Sequence, residues 1–425
     1  MNVVNQNPNP AIRRIVVKAY LQFASPALIG SGEKDYSDND ILRDGTGNPF
    51  LPGSAMAGSL RALLTTTADG SEAAKKLFGD LKNDRMSPLW VLDSDLFKKS
   101  EGSPANVILI DGVAIETENK VAVESAKYDF EAIDAGTRFV LRMMLVMRKD
   151  DEETLETYFD SLLTALSRGT VYIGGKTRRG FGRISCQKIE RMDFDFKKDP
   201  KQISDWAGFD WAGALKEYTP VTPFASEAIS SVSVDLKIDG SIMIRDFKDL
   251  GKDEQYAHMN VGGQPVILGT SWAGAVKNGL KRLLSDFPGA EAYLDSVLGA
   301  KIGDKTIVSL VEFDASVLEK VNEKEDGYRK IVRVKIDRFT GGAANGALFT
   351  SRPWFGGKTV LTARFPAERK DIAQLIGLAV DAIDKGLITI GGETSIGRGV
   401  LKTLDPQESI LKDRADLLSA IGGAK

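Results

Sequence analysis

Apolar and polar positions along the chain fall into two spacings, and the spacings occur in the same order twice. Strands are predicted over residues 13–24 and 231–238, each followed by a loop rich in charge and glycine. Apolar residues at helical spacing then predict a helix in each half. The first is SAMAGSLRALLTT from Ser54 and the second TSWAGAVKNGLKRLLSDF from Thr270, with the two hydroxyl residues as N-caps. An extended, Gly- and Thr-rich segment follows and reads as a projecting hairpin. Further strands are expected over 139–148 and 359–365, and second helices over 152–168 and 368–385. A last hairpin carries an IGG motif. Strand, helix, strands, helix, strand is the order of a ferredoxin-like (RRM-like) α+β domain. The expected domains are 1–200 and 228–425, and 201–227, beside KKDPKQ and containing TPVTPF, reads as a linker.

The halves also match in letters. PFLPGSAMAGSLRALL resembles PVILGTSWAGAVKNGL, with Gly269 in the place of Gly53. VYIGGKTRRGFGRI resembles ITIGGETSIGRGVL, with Gly391 in the place of Gly174. Between them VAIETENKVAVESAKYD is a looser match to VKIDRFTGGAANGALFT. Three collinear pairs at nearly constant offset indicate a tandem duplication.

Composition narrows the chemistry. With 42% hydrophobic residues in 425 there is apolar mass for sizeable cores. A single cysteine, Cys186, excludes an internal disulfide, and with the single histidine, His258, it excludes a Cys/His zinc site. A Ser-His-Asp triad would have to use His258. No apolar run approaches a membrane span and the first ten residues lack signal-peptide character, so a cytoplasmic protein without membrane partners is expected. The net charge of −3 means that any nucleic-acid surface must be a local feature.

Local positive sites exist. In IGGKTRRGFGRI, Lys176, Arg178, Arg179 and Arg183 stand among Gly174, Gly175, Gly180 and Gly182 with no acid between. Clustered bases and open amides suit a phosphate backbone. The second copy, with Gly391, Gly392 and Arg398, has one acid and two bases, so a weaker pull is expected. The helix starts at Ser54 and Thr270 offer free N–H groups to an anion, with Arg61 and Lys277 two turns inside. The loop before the first helix supplies Glu33, Asp35, Asp38, Asp40 and Asp44, and a carboxylate there could orient a hydroxyl or hold a hydrated Mg²⁺. Counting back from the shared proline puts Glu254, beside Asp253, opposite Asp38. The bland readings are a capped helix, a tight hairpin and a solvated acidic loop.

Together, PFLPGSAMAGSLRALL, the IDRFTGGAANGALF segment and the two C-terminal Gly-rich loops resemble the RAMP superfamily. The likeness is greatest to double-copy backbone subunits of type III (III-D-like) CRISPR effector complexes. The resemblance implies two ferredoxin-like palms, each with a β-hairpin thumb. It implies guide RNA, single-stranded target RNA and other effector subunits as partners. It also implies target-RNA cleavage that depends on Mg²⁺ or Mn²⁺, with Asp38 as cutting residue and metal ligand and Asp40 as the near alternative. Glu254 or Asp253 stands in that place in the second copy, which either cuts or only holds RNA. Ala57 and Ala273 stand where family helices often carry lysine, which leaves guide contacts to Arg61, Lys277 and the loops. The rival functions are a non-cleaving guide scaffold, a metal-independent guide-processing nuclease and a duplicated metabolic enzyme.

Overall fold

A computed structural model of the chain describes residues 9–32, 37–83, 85–97, 106–115, 122–149, 151, 154–225, 228–246, 254–302, 305–404 and 414–423. They form two compact units. The first comprises Met1–Gly112, Tyr128–Thr177 and Phe181–Ala228, and the second Val113–Lys127, Arg178–Gly180 and Ile229–Lys425. Among the described residues no helix is long and apolar enough to cross a membrane.

In the first half β1 (Ala11–Phe23) is followed by α1 (Gly53–Leu64), α2 (Gly70–Phe78) and β2 (Leu89–Val91). Two long strands, β3 (Val107–Ile115) and β4 (Ala122–Ile133), pair with each other as a separate hairpin. Then come β5 (Arg138–Arg148), α3 (Thr154–Ser167), β6 (Ile184–Asp195), α4 (Gln202–Ala207) and β7 (Lys216–Glu217). The sheet order is β2-β5-β1-β6-β7 with every neighbour antiparallel. Thus β1 and β2 run in the same direction with β5 between them, the split βαβ arrangement of a ferredoxin-like fold.

The second half repeats it. The elements are β8 (Ile229–Asp239), α5 (Gly269–Leu283), α6 (Ala290–Leu298), β9 (Glu312–Phe313), the hairpin β10 (Ile331–Ile336) and β11 (Ala343–Arg352), β12 (Lys358–Pro366), α7 (Lys370–Asp384), β13 (Val400–Thr403) and α8 (Ala415–Gly423). The sheet order β9-β12-β8-β13 is the same permutation. The helices follow the same register. Met56, Leu60 and Leu64 of α1 are buried at every fourth position, and so are their counterparts Trp272, Val276 and Leu280 of α5. That spacing puts three side chains on one stripe facing a core. The α+β, tandem ferredoxin-like reading with two hairpin insertions is what the structure has.

The bridge differs from the expected linker. Its α4 and β7 belong to the first unit, and Asp160 of α3 accepts hydrogen bonds from the Tyr218 hydroxyl at 2.5 Å and the Val221 and Thr222 amides at 3.0 and 2.7 Å. Trp206, Phe209, Trp211 and Leu215 cover Val16, Met144, Val146 and Phe194, so the first sheet is apolar on both faces. In β8 the pattern VSVDLKID buries alternate residues only. A sheet covered on both faces needs apolar residues at adjacent positions, whereas one with a wet face alternates.

Candidate nucleic-acid interface and cleavage site

The Gly-rich loop is one backbone built twice. Gly174, Lys176, Gly180 and Gly182 have φ of 86°, 58°, 80° and 72°, and Gly391, Glu393, Gly397 and Gly399 have 88°, 59°, 87° and 76°. Each loop contains a 3₁₀ turn, Thr177–Arg179 or Thr394–Ile396. Positive φ at a lysine and a glutamate, in equivalent places of the two loops, shows that the surrounding turn imposes it. The glycines serve this packing. A Cβ on Gly174 would lie 2.3 Å from the Leu28 carbonyl oxygen and one on Gly182 1.8 Å from that of Ile173; the second-half equivalents meet Met243 and Ile390 at 2.4 and 2.1 Å. The amides of Gly175 and Gly392 donate to Leu28 and Met243 at 2.7 Å, and those of Gly182 and Gly399 to Pro26 and Ser241, also at 2.7 Å. The expectation of open amides is therefore corrected at these positions, because main chain already occupies them.

The side chains remain. Arg179 and Arg183 are exposed. Arg178, counted with the second unit, is exposed too and lies 3.7 Å from Glu312 there. Lys176 lies over the rings of Tyr128 and Phe130 at the root of β4, at 4.5 and 3.5 Å. In the second loop the single acid, Glu393, is nearly buried and gathers arginines. Arg398 is at 2.7 Å, Arg245 at 4.0 Å, Arg333 of β10 pairs with it, and the Tyr256 hydroxyl donates at 2.6 Å. Burial opposes its charge, but the hydrogen bonds from Tyr256 and Arg333 hold its carboxyl below the usual carboxylate range. Three arginines around one carboxylate leave the place positive. Arg398 is itself buried and also bonds Ser241 Oγ at 3.1 Å; the outward charge comes from Arg245 and Arg333, half and one-third exposed.

The helix starts also depart from expectation. The N-caps are Pro52 and Leu268, without side-chain capping, and Ser54 and Thr270 lie inside the first turn. The Gly53 amide donates to Asp93 Oδ1 at 2.7 Å, so an internal carboxylate already takes that helix end. Ser54 and Arg61 are exposed. Lys277 is tied within its own unit, 3.4 Å from Asp295 and bonded to the Gly299 carbonyl. Lys281 likewise meets Asp295 at 2.9 Å. Those two lysines share Asp295, and Lys281 also meets Glu291 at 3.1 Å.

The acidic loop sorts its candidates. Asp40 is 4% exposed and accepts from Ser37 Oγ at 2.7 Å, a structural role. Asp38 is exposed beside the root of the hairpin: its Oδ2 accepts the Asp129 amide at 3.1 Å, and its own amide donates to Asp129 Oδ1 at 3.2 Å. Glu33, Asp35 and Asp253 lie outside the described residues. Glu254 is 3.4 Å from Arg352 of β11, with its side chain 9% exposed. Among the described residues no three Asp, Glu, His or Cys side chains converge on a point.

His258 is no surface acid or base. It is 1% exposed, its Nδ1 accepts the Ile244 amide at 3.1 Å, and burial pushes its pKa down to about 3. The unfolded chain takes up this proton near pH 6.5, and the folded one only near 3. Stability is therefore full above pH 6.5 and falls by a few kcal/mol as pH drops through that window. Denaturant titrations at stepped pH should show the loss in the wild type and a flatter profile in His258→Gln.

The second hairpin exposes an apolar face. Val332, Val334, Ile336 and Leu348 are 45–57% exposed, and Phe339 at the turn is 98% exposed. Pairing of Val334 with Leu348 puts those two on one side. Asp337 Oδ1 holds the turn through the Phe339 and Thr340 amides at 3.0 and 2.8 Å. Inspection of single motifs misses Asp129, Tyr128, Arg245 and Arg333. Tyr128, Asp129 and Arg333 lie in the hairpin strands, whereas Arg245 lies in a short strand paired with His258.

Comparison with known proteins agrees with this duplicated architecture. The family model described as RAMP superfamily matches residues 20–185 and again 250–402. A protein of Streptococcus thermophilus named CRISPR system Cms endoribonuclease Csm3 is 24% identical over 182 residues, 40% of this chain and 83% of that protein. One of the same name from Methanocaldococcus jannaschii is 25% identical over 205 residues, 42% of this chain and 80% of that protein. Each match thus spans most of the relative but less than half of this chain. With the ferredoxin-like order, hairpin and Gly-rich loop all present twice, the chain belongs to the RAMP superfamily and carries two copies of its domain.

Proposed function

We propose that this chain is a guide-RNA-binding backbone subunit of a type III CRISPR effector complex, and that its first half cuts complementary target RNA. The observation that carries the cutting role is Asp38: an exposed carboxylate with one oxygen fixed by the hairpin root. The relatives' name, endoribonuclease, supports RNA as substrate. The exposed apolar face of the second hairpin suits a thumb role in that half, since apolar wedges can part stacked bases. A displaced nucleotide can place its 2′-oxygen in line with the leaving 5′-oxygen. Asp38 would accept the 2′-hydroxyl proton as the 2′-O–P bond forms and the P–5′-O bond breaks, leaving a cyclic phosphate and a 5′-hydroxyl that takes a proton from water. A bound Mg²⁺ or Mn²⁺ would offset charge on the phosphate. Buried, neutral His258 speaks against the histidine-dependent processing enzyme.

A second reading, the non-cutting scaffold, suits the second half. Glu254 is paired with Arg352, while Arg245 and Arg333 present positive charge. Incubating the assembled complex with complementary RNA, with and without EDTA, tests both. Regular cuts lost with EDTA and unaffected by Glu254→Ala are expected; intact RNA bound by the wild type would leave only the scaffold. Exposed Arg179 and Arg183 should carry guide affinity. Changing both to alanine is expected to weaken binding for all guide sequences alike and to reduce the salt slope by about one to two, measured by filter binding across a salt series.

A further inference from the structure

The loop that carries Asp38 is sewn along the first-half hairpin strand. Besides the reciprocal Asp38–Asp129 bonds at 3.1 and 3.2 Å, the Glu131 amide donates to the Asn39 carbonyl at 3.1 Å. The Ile41 amide donates to Glu131 Oε2 at 3.2 Å, and Arg43 reaches Glu131 Oε1 at 2.7 Å. On the flanking positions Tyr128 and Phe130 stack at 6.1 Å under Lys176 of the Gly-rich loop. Neighbouring residues of β4 therefore join the acidic loop, the hairpin and the Gly-rich loop. The second half lacks the acid at this place: the Gln255 amide meets a main-chain oxygen, that of Thr350, at 3.0 Å, and Glu254 meets Arg352.

We infer that Asp129 is a positioning residue for the cut, a clamp between the hairpin root and Asp38. This rests on the cutting role proposed above. Asp129 Oδ1 fixes the main chain of residue 38, and the Asp129 amide takes Asp38 Oδ2, so Oδ1 of Asp38 is left for substrate. The root of the hairpin and the carboxylate are thereby held in one register. Loss of such alignment costs rate rather than affinity, by up to about 100-fold for a displacement near 1 Å.

The test compares Asp129→Ala, Asp129→Asn and Asp38→Ala in the assembled complex, reading kcat and KM for complementary RNA and the melting temperature of each variant. Asn keeps an oxygen able to accept the Asp38 amide. Asp129→Ala is expected to lower kcat about 10- to 100-fold with KM within about twofold. Asp129→Asn should restore the rate to within about threefold of wild type. Three results would overturn the clamp: Asp129→Ala cutting at the wild-type rate, Asp129→Asn as inactive as Asp129→Ala, or KM rising in step with the loss. The second would make the carboxylate's charge essential, and the third would mean a substrate-binding or folding role. If Asp38→Ala cuts normally, the reading of the site itself has failed; if it is inactive while Asp129→Ala is normal, only the clamp has.

Discussion

Asp38→Ala is expected to leave complementary RNA bound to the complex but uncut where the first half is proposed to act, with a rate loss of about 10²–10⁴-fold, the usual range for a removed general base. Asp38 is exposed and its main contacts are with the Asp129 backbone and side chain, so truncation removes no core packing. Asp40→Asn is the contrast. Asp40 is buried under Ser37, and its change should lower stability while the cutting pattern persists. Electrophoresis of end-labelled target, with melting curves for both variants, separates chemistry from folding. Cutting by Asp38→Ala at the wild-type rate would remove the proposed active carboxylate.

Gly399→Ala should be among the most damaging single changes in the second half, and Gly397→Ala, in the same turn, mild. Both have positive φ, 76° and 87°. Alanine there costs about 1–2 kcal/mol from backbone conformation alone. At Gly397 nothing lies within 4 Å of the new carbon, so that is the whole cost. At Gly399 the carbon would sit 2.1 Å from the Ile390 carbonyl oxygen, and the amide that bonds Ser241 at 2.7 Å would have to move. Separating two strands of main chain adds roughly 2 kcal/mol or more. Because the loop holds Glu393 and its arginines, RNA affinity should fall with stability in Gly399→Ala and stay near normal in Gly397→Ala. Equal melting temperatures for the two variants would contradict this account.

Much of the architecture was legible because it follows from local rules. The stripe Met56, Leu60, Leu64 and its repeat Trp272, Val276, Leu280 specify helices packed on one face. Other features do not show in the sequence, because the residue's partner is distant in the chain. Ser54 and Thr270 look like caps, yet both helices begin earlier, at Gly53 and Gly269, where an added Cβ would lie 2.2 and 2.1 Å from the Val91 and Phe313 carbonyl oxygens. Glu393 looks like a charge that weakens its loop, yet it organises Arg333 and Arg245, which lie far before it in the chain. TPVTPF reads as a linker, yet its threonine and valine amides are bound by Asp160.

What the sequence determined by itself was the duplication, the order of strands and helices, and the clustering of basic and acidic residues in the loops, since these depend on spacing and repetition along the chain. Tertiary structure alone decided which of the charges face outward. Lys277 and Glu254 are spent on Asp295 and Arg352, whereas Arg179 and Asp38 remain exposed. The physical reason is that a charge's availability depends on burial and on the opposite charge nearest in space, and that neighbour is set by the fold.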